Sequence, residues 1–224
     1  MHPTASVPVQ RGIGLVSALA AAAIALGDLR QGGRRLAPAL AGWLALTFAI
    51  AASGALLRWA PPPPLMGIVL VALVGAIALA RGSAGARLAA LPLPVLVGFQ
   101  AFRLPLELAM HAAAAEGTMP PQMSFGPGGL NYDIVTGASA VLVALLAWRG
   151  RAPRALLWAF SALGLTLLAV IAVIAIASTP TFSAFGPTRL NTFVAYPPFV
   201  WLGAIDVPAA LLGHLVLLRR LRAT

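Results

Sequence analysis

Apolar residues run in seven long blocks along this chain, at about 12–28, 36–57, 65–81, 89–115, 133–148, 155–178 and 197–218. About 20 apolar residues cross a hydrocarbon core as a helix. Each block therefore reads as a membrane span, and those at 12–28, 65–81 and 133–148 sit near the short limit. The pattern predicts an all-α polytopic transmembrane bundle of about seven spans, built as a single domain over residues 1–224. A six-span version without a true first crossing fits the later blocks as well. No polar stretch is long enough to build a soluble domain.

The short polar breaks set the orientation. With the N-terminus outside, the inner segments hold Arg30, Arg34, Arg35, Arg81, Arg87, Arg149, Arg151, Arg154, Arg219, Arg220 and Arg222. The outer segments hold Arg11, Arg58 and Arg189. That bias places the C-terminus in the cytoplasm. Trp43, Trp148 and Trp158 then fall at the inner interface, Trp59 and Trp201 at the outer one. Reading residues 12–28 as a cleaved signal peptide would invert every later loop and reverse the arginine bias. A retained first span is the expectation.

Composition narrows the class further. The chain is 60% hydrophobic and 9% charged, against about 25% charged for soluble domains. Its net charge of +10 comes from arginines clustered between apolar runs, where topology explains them and nucleic acid is not a partner. All 15 basic residues are arginine, which excludes a cofactor held as a lysine Schiff base, and cysteine is absent. No nucleophile elbow, Walker sequence or dinucleotide fingerprint occurs. No cofactor is expected.

The informative block is the fourth. Gln100, Arg103, Glu107 and His111 stand at i, i+3, i+7 and i+11, within roughly 80° of arc on a helix. One narrow polar stripe thus crosses an apolar span. Asp206 is predicted at the same depth in the seventh block, which runs the opposite way. Intramembrane charges cost about 2.5–3.5 kcal/mol each on insertion scales. Arg103, Glu107 and Asp206 must therefore be paired or line a wet cavity. The expected arrangement has Arg103 bridging both carboxylates through its planar fork. His214, near the inner end, reads as structural. Glu107, His111 and Asp206 could be drawn as metal ligands, but Arg103 on the same stripe repels a cation and a fourth ligand is missing. No metal site is expected.

Proline and the loops add detail. Pro92, Pro94 and Pro105 break the fourth block and Pro208 breaks the seventh, and each frees a carbonyl one turn earlier. Broken helices at membrane depth survive where they are buried in protein or line a cavity. The sixth block, 155–178, carries no charge and is expected to face lipid without chemistry. Two outer loops are longer, 116–132 (EGTMPPQMSFGPGGLNY) and 179–196 (TPTFSAFGPTRLNTFVAY). Each contains Phe-Gly-Pro and places an asparagine, Asn131 or Asn191, before the next span. They read as ordered caps or as a lid over a site that opens outward.

The stretch from Phe99 to Gly137, and NTFVAYPPFVWLGAIDVPAALLGH after it, resemble segments of bacterial multi-pass inner-membrane proteins of unassigned function. The resemblance implies a bacterial cytoplasmic (inner) membrane location and no activity. Three functional readings stand. The leading one is binding or transport of a small molecule or ion, proton-linked, at Arg103, Glu107 and Asp206, with Gln100 and His111 on the same stripe. The second is a structural or sensory subunit that uses the cluster as an interhelical clamp. The third is a lipid-modifying enzyme with Glu107 and His111 as an acid–base pair. Beyond the lipid bilayer, the partner would be that ligand, a second copy of the chain or a partner subunit.

Overall fold

The computed structural model describes residues 5–223. The ends of the expected 1–224 domain, residues 1–4 and 224, lie outside the described residues. Every element is helical: α1 (Val7–Arg30), α2 (Leu36–Ala52), α3 (Pro64–Arg81), α4 (Ser83–Ala89), α5 (Leu93–Gly98), α6 (Arg103–Ala115), α7 (Ile134–Trp148), α8 (Arg154–Ala177) and α9 (Val207–Ala223). A 3-10 turn at Phe99–Phe102 joins α5 to α6, and a π-helical turn at Leu202–Asp206 leads into α9.

Five helical stretches are long and apolar enough to cross a membrane: Val7–Arg30, Pro64–Arg81, Leu93–Ala115, Arg154–Ala177 and Leu202–Ala223. The first is longer than the block read from the sequence. Ser6 caps it by accepting from the Val9 amide, and Pro8 sits in its first turn, where the missing N–H costs nothing. Pro92 and Pro94 likewise open α5 rather than interrupt a helix. α2 and α7 are shorter, at 17 and 15 residues, about 25 and 22 Å at 1.5 Å per residue.

The stretch Leu202–Ala223 is the centre of the bundle. It is the most buried of the five candidate spans, and α9 packs on α3, α4, α5 and α8. The outward faces stay apolar. Leu70, Val74, Leu142 and Val173 are all exposed, a surface suited to lipid and poorly suited to water.

The two ends of the bundle differ in chemistry. At one end arginines close helix C-termini, where free carbonyls and the helix dipole favour a cation. Arg219 Nη1 donates to the carbonyls of Ala80, Arg81 and Gly82 at 2.8, 3.0 and 2.8 Å. Arg154 Nη2 donates to the Leu221 carbonyl at 2.6 Å. Buried Asp28 accepts from Arg87 Nε at 2.7 Å, which ties α1 to α4. At the other end the two long loops fold over the bundle, and Ser6 donates to the exposed Glu116 carboxylate from its amide at 2.8 Å and its hydroxyl at 2.6 Å.

Candidate functional site

Pro208 has no N–H, so the Ala204 carbonyl loses its helical donor. Trp43 supplies a replacement, its indole N–H donating to that carbonyl at 2.9 Å. Trp43 therefore serves the broken helix from within the bundle, beyond the interfacial role expected for it. The loosened turn carries Asp206. Ser17 of α1 donates to Asp206 Oδ2 at 2.7 Å, while Asp206 Oδ1 is buried without a hydrogen-bond partner among the described residues. Wide turns of this kind occur often at functional sites.

Arg103 opens α6 and is almost fully buried, 1% exposed. Its fork does not bridge Glu107 and Asp206 as the sequence suggested. It closes bidentately on Asp133, with Nε donating to Oδ2 at 2.6 Å and Nη2 donating to Oδ1. Asp133 is the N-cap residue of α7. Nη1 lies 3.4 Å from the Gly164 carbonyl of α8 and 3.2 Å from His214 Nε2. Arginine can only donate, so His214 accepts through Nε2. One guanidinium thus ties α6, α7, α8 and α9 together.

This arrangement corrects two further expectations. The sixth block is not chemically idle, since its Gly164 turns a carbonyl toward Arg103. A side chain on Gly164 would collide with the His214 ring and with Thr136, so glycine is what admits the histidine. His214 has a structural role, as expected, but not at the inner end. Its side chain leans back toward the helix N-terminus and meets Arg103, with the Phe160 ring 5.5 Å away.

Glu107, one turn on from Arg103, accepts from Asn131 Nδ2 at 2.7 Å. Asn131 also donates to the Met123 carbonyl at 3.1 Å and accepts the Asp133 amide at 3.0 Å. The loop before α7 therefore runs back down beside α6 into the bundle. That explains the shortness of α7, which begins at the level of Arg103. Gly137 allows the approach, because a Cβ there would strike the backbone of Arg103 and Leu104.

Arg103, Glu107, Asp133 and Asp206 share the wall of a cavity of about 400 Å³. The rest of the wall is almost wholly apolar, from α3, α6, α8 and α9. The second long loop adds Asn191 and Val194, and Met123 of the first completes the roof. Gln122 joins the loops, donating to Ser178 Oγ and to the Arg189 carbonyl, both at 2.9 Å.

Two members of the predicted stripe stand apart from this cavity. His111 bonds Ser124 Oγ at 3.0 Å and stacks on Phe125 at 4.5 Å, within the first loop. Gln100 donates to the Ala210 carbonyl at 3.0 Å, which holds the 3-10 turn against α9. Glu107, His111 and Asp206 thus have separate partners, and no trio of metal-ligating side chains forms among the described residues. Sequence reasoning missed Asp133 and Ser17. The one signal for Asp133 was the shortness of its span, and Ser17 gave none. No family model matches the chain, and neither a curated protein nor a solved structure is significantly similar to it.

Proposed function

We propose that this is a multi-pass membrane protein of seven spans, cytoplasmic at its C-terminus, that binds and moves a small molecule through the cavity between α3, α6, α8 and α9. α2 and α7 count as the two short crossings in this reading. The arginine-rich end faces the cytoplasm of a bacterial inner membrane, and α1 is retained because its Ser17 completes the Asp206 environment. Glu107 and Asp206 are the working groups, holding a proton or the donor groups of the ligand.

One observation carries the reading. Asp206 is buried on the wall of a formed cavity with an oxygen that no donor among the described residues satisfies. A buried polar atom without a partner is costly, and an intramembrane acid in that position marks a ligand or proton site by default. The cavity size falls within the range of small-molecule sites, about 300–1,000 Å³. Its apolar wall suits an organic molecule better than a hydrated ion. The clamp reading retains one specific support, the Arg103–Asp133 pair, and we assign it that role alone.

Native mass spectrometry from mild detergent, paired with uptake into vesicles under a pH gradient, tests the proposal. A bound small molecule and coupled uptake, both lost in Glu107→Gln and Asp206→Asn, support it. Equal occupancy and equal uptake in both variants overturn it.

A further inference from the structure

The roof of the cavity is closed and its side is not. Met123 and Val194 cover it on the loop side, both buried, and the loops above are tied through Gln122. α3 and α8 form opposite flanks. Each packs on α9, but they hardly touch each other. Leu70 of α3 and Ile176 of α8 line the cavity and are also exposed, at 62% and 43%. The opening therefore lies on the lipid-facing flank. Leu65 and Ala175, near the loop-side ends of their helices, line the same space, so the mouth sits in the half of the membrane nearer the loops.

The polar wall is asymmetric in charge. Arg103 pairs with Asp133, and among the described residues neither Glu107 nor Asp206 forms an ion pair, which leaves both carboxyl groups as acceptors. Asn191 adds a buried carbonyl oxygen, Oδ1, that also lacks a partner among the described residues. Such a wall favours a head that donates hydrogen bonds or carries positive charge. The remaining wall favours hydrocarbon.

We infer that the cavity takes its ligand sideways from the bilayer, between α3 and α8, and that the ligand class is a membrane-dissolved amine with one apolar chain, its head seated at Glu107 and Asp206. This rests on the proposed reading of the cavity as a ligand site, and adds the route and the chemistry.

Photolabelling in phosphatidylcholine–phosphatidylglycerol vesicles tests both additions. Two probes carry the same diazirine and the same primary amine, one on a dodecyl chain and one on a propyl chain. Labelling of Met66, Leu73 and Ile171 is read against lipid-facing Leu142, which is 64% exposed. The dodecyl probe should label the cavity, and the propyl probe should not. Leu70→Trp and Ala172→Trp should narrow the mouth and slow cavity labelling about tenfold, which corresponds to about 1.4 kcal/mol of added barrier to entry. Leu70 is exposed, so tryptophan there leaves the packing intact even if Ala172→Trp disturbs it. Asp206→Asn should lower labelling by a similar factor through the head group. Propyl labelling as strong as dodecyl, or no effect of either tryptophan, overturns the lateral route while the site stands. Dodecyl labelling unchanged in Asp206→Asn and Glu107→Gln removes the head-group assignment, whereas the site itself falls only if bound ligand and coupled uptake also persist in both variants.

Discussion

Arg103–Asp133 and Asp206 lie on one cavity wall, yet they are built on opposite principles. The first is a bidentate pair with a carbonyl and an imidazole in reach of the same guanidinium. The second is a carboxyl group with one donor and one unsatisfied oxygen. A charge whose partners are all supplied by protein holds helices in register and has nothing left to offer a ligand. A carboxyl group left short of partners at a cavity remains available to one. The sequence presents Arg103 and Asp206 alike as mid-membrane charges, and only their partners separate them.

The largest expected effect comes from breaking the pair. Arg103→Leu should destabilise by about 3–5 kcal/mol, because it strands Asp133 in the interior. Arg103→Leu combined with Asp133→Leu should recover most of that loss, since apolar replacement of a whole buried pair is often neutral. Thermal unfolding in one detergent measures both. A double variant as unstable as the single one would show that Arg103 acts chiefly through Gly164 and His214.

Gly164→Ala sharpens the same side of the comparison. The new methyl group would press on the His214 ring and on Thr136. Overpacking of this kind costs about 1–3 kcal/mol. The shift should shrink in His214→Ala, which removes the obstacle. An equal shift in both backgrounds would place the strain elsewhere.

Glu107→Gln and Asp206→Asn probe the other side. Each keeps the side-chain shape, and each should alter stability by only about 1 kcal/mol, the net scale of one hydrogen bond. Ligand retention should fall about tenfold, as for loss of one charge-assisted contact. Denaturation and native mass spectrometry on the same samples separate the two effects. If Asp206→Asn unfolds the protein as severely as Arg103→Leu, the distinction between clamp and site collapses.

Much of this arrangement was legible before the fold. Unbroken apolar runs marked the helices, and the spacing of Arg103 and Glu107 put both on one stripe. Asp206 was placed at their depth by counting residues along antiparallel spans. The partners were not legible, for physical reasons. Asp133 follows a long polar loop, so linear counting leaves it at the membrane surface, whereas Asn131 draws that loop down beside α6 to Glu107. Its span, 133–148, was too short to reach the surface, which is the trace this leaves in the sequence. Gly164 contributes a backbone carbonyl, which every residue owns and no pattern reveals. His111 kept its helical phase but met Ser124 and Phe125, because the loop that covers it folds where no periodicity could show.

The smallest effect belongs to the exposed counterpart of these buried groups. Glu116 accepts two hydrogen bonds from Ser6, and the Ser6 hydroxyl and amide hold its carboxyl below the ordinary glutamate range. A folded-state pKa below the unfolded one means the contribution is complete above the ordinary value of about 4.3. It is lost as pH falls through the lower folded value. Wild type should therefore lose thermal stability relative to Glu116→Gln as pH drops below that ordinary value, with a constant gap above it. The gap should be small, because water screens an exposed pair and competes for its hydrogen bonds. Melting curves of both proteins at neutral and acid pH decide the matter. A gap that widens in favour of wild type on acidification would contradict the sign. A gap as large as that of Arg103→Leu would mean that burial is not what separates the strong pair from the weak tether.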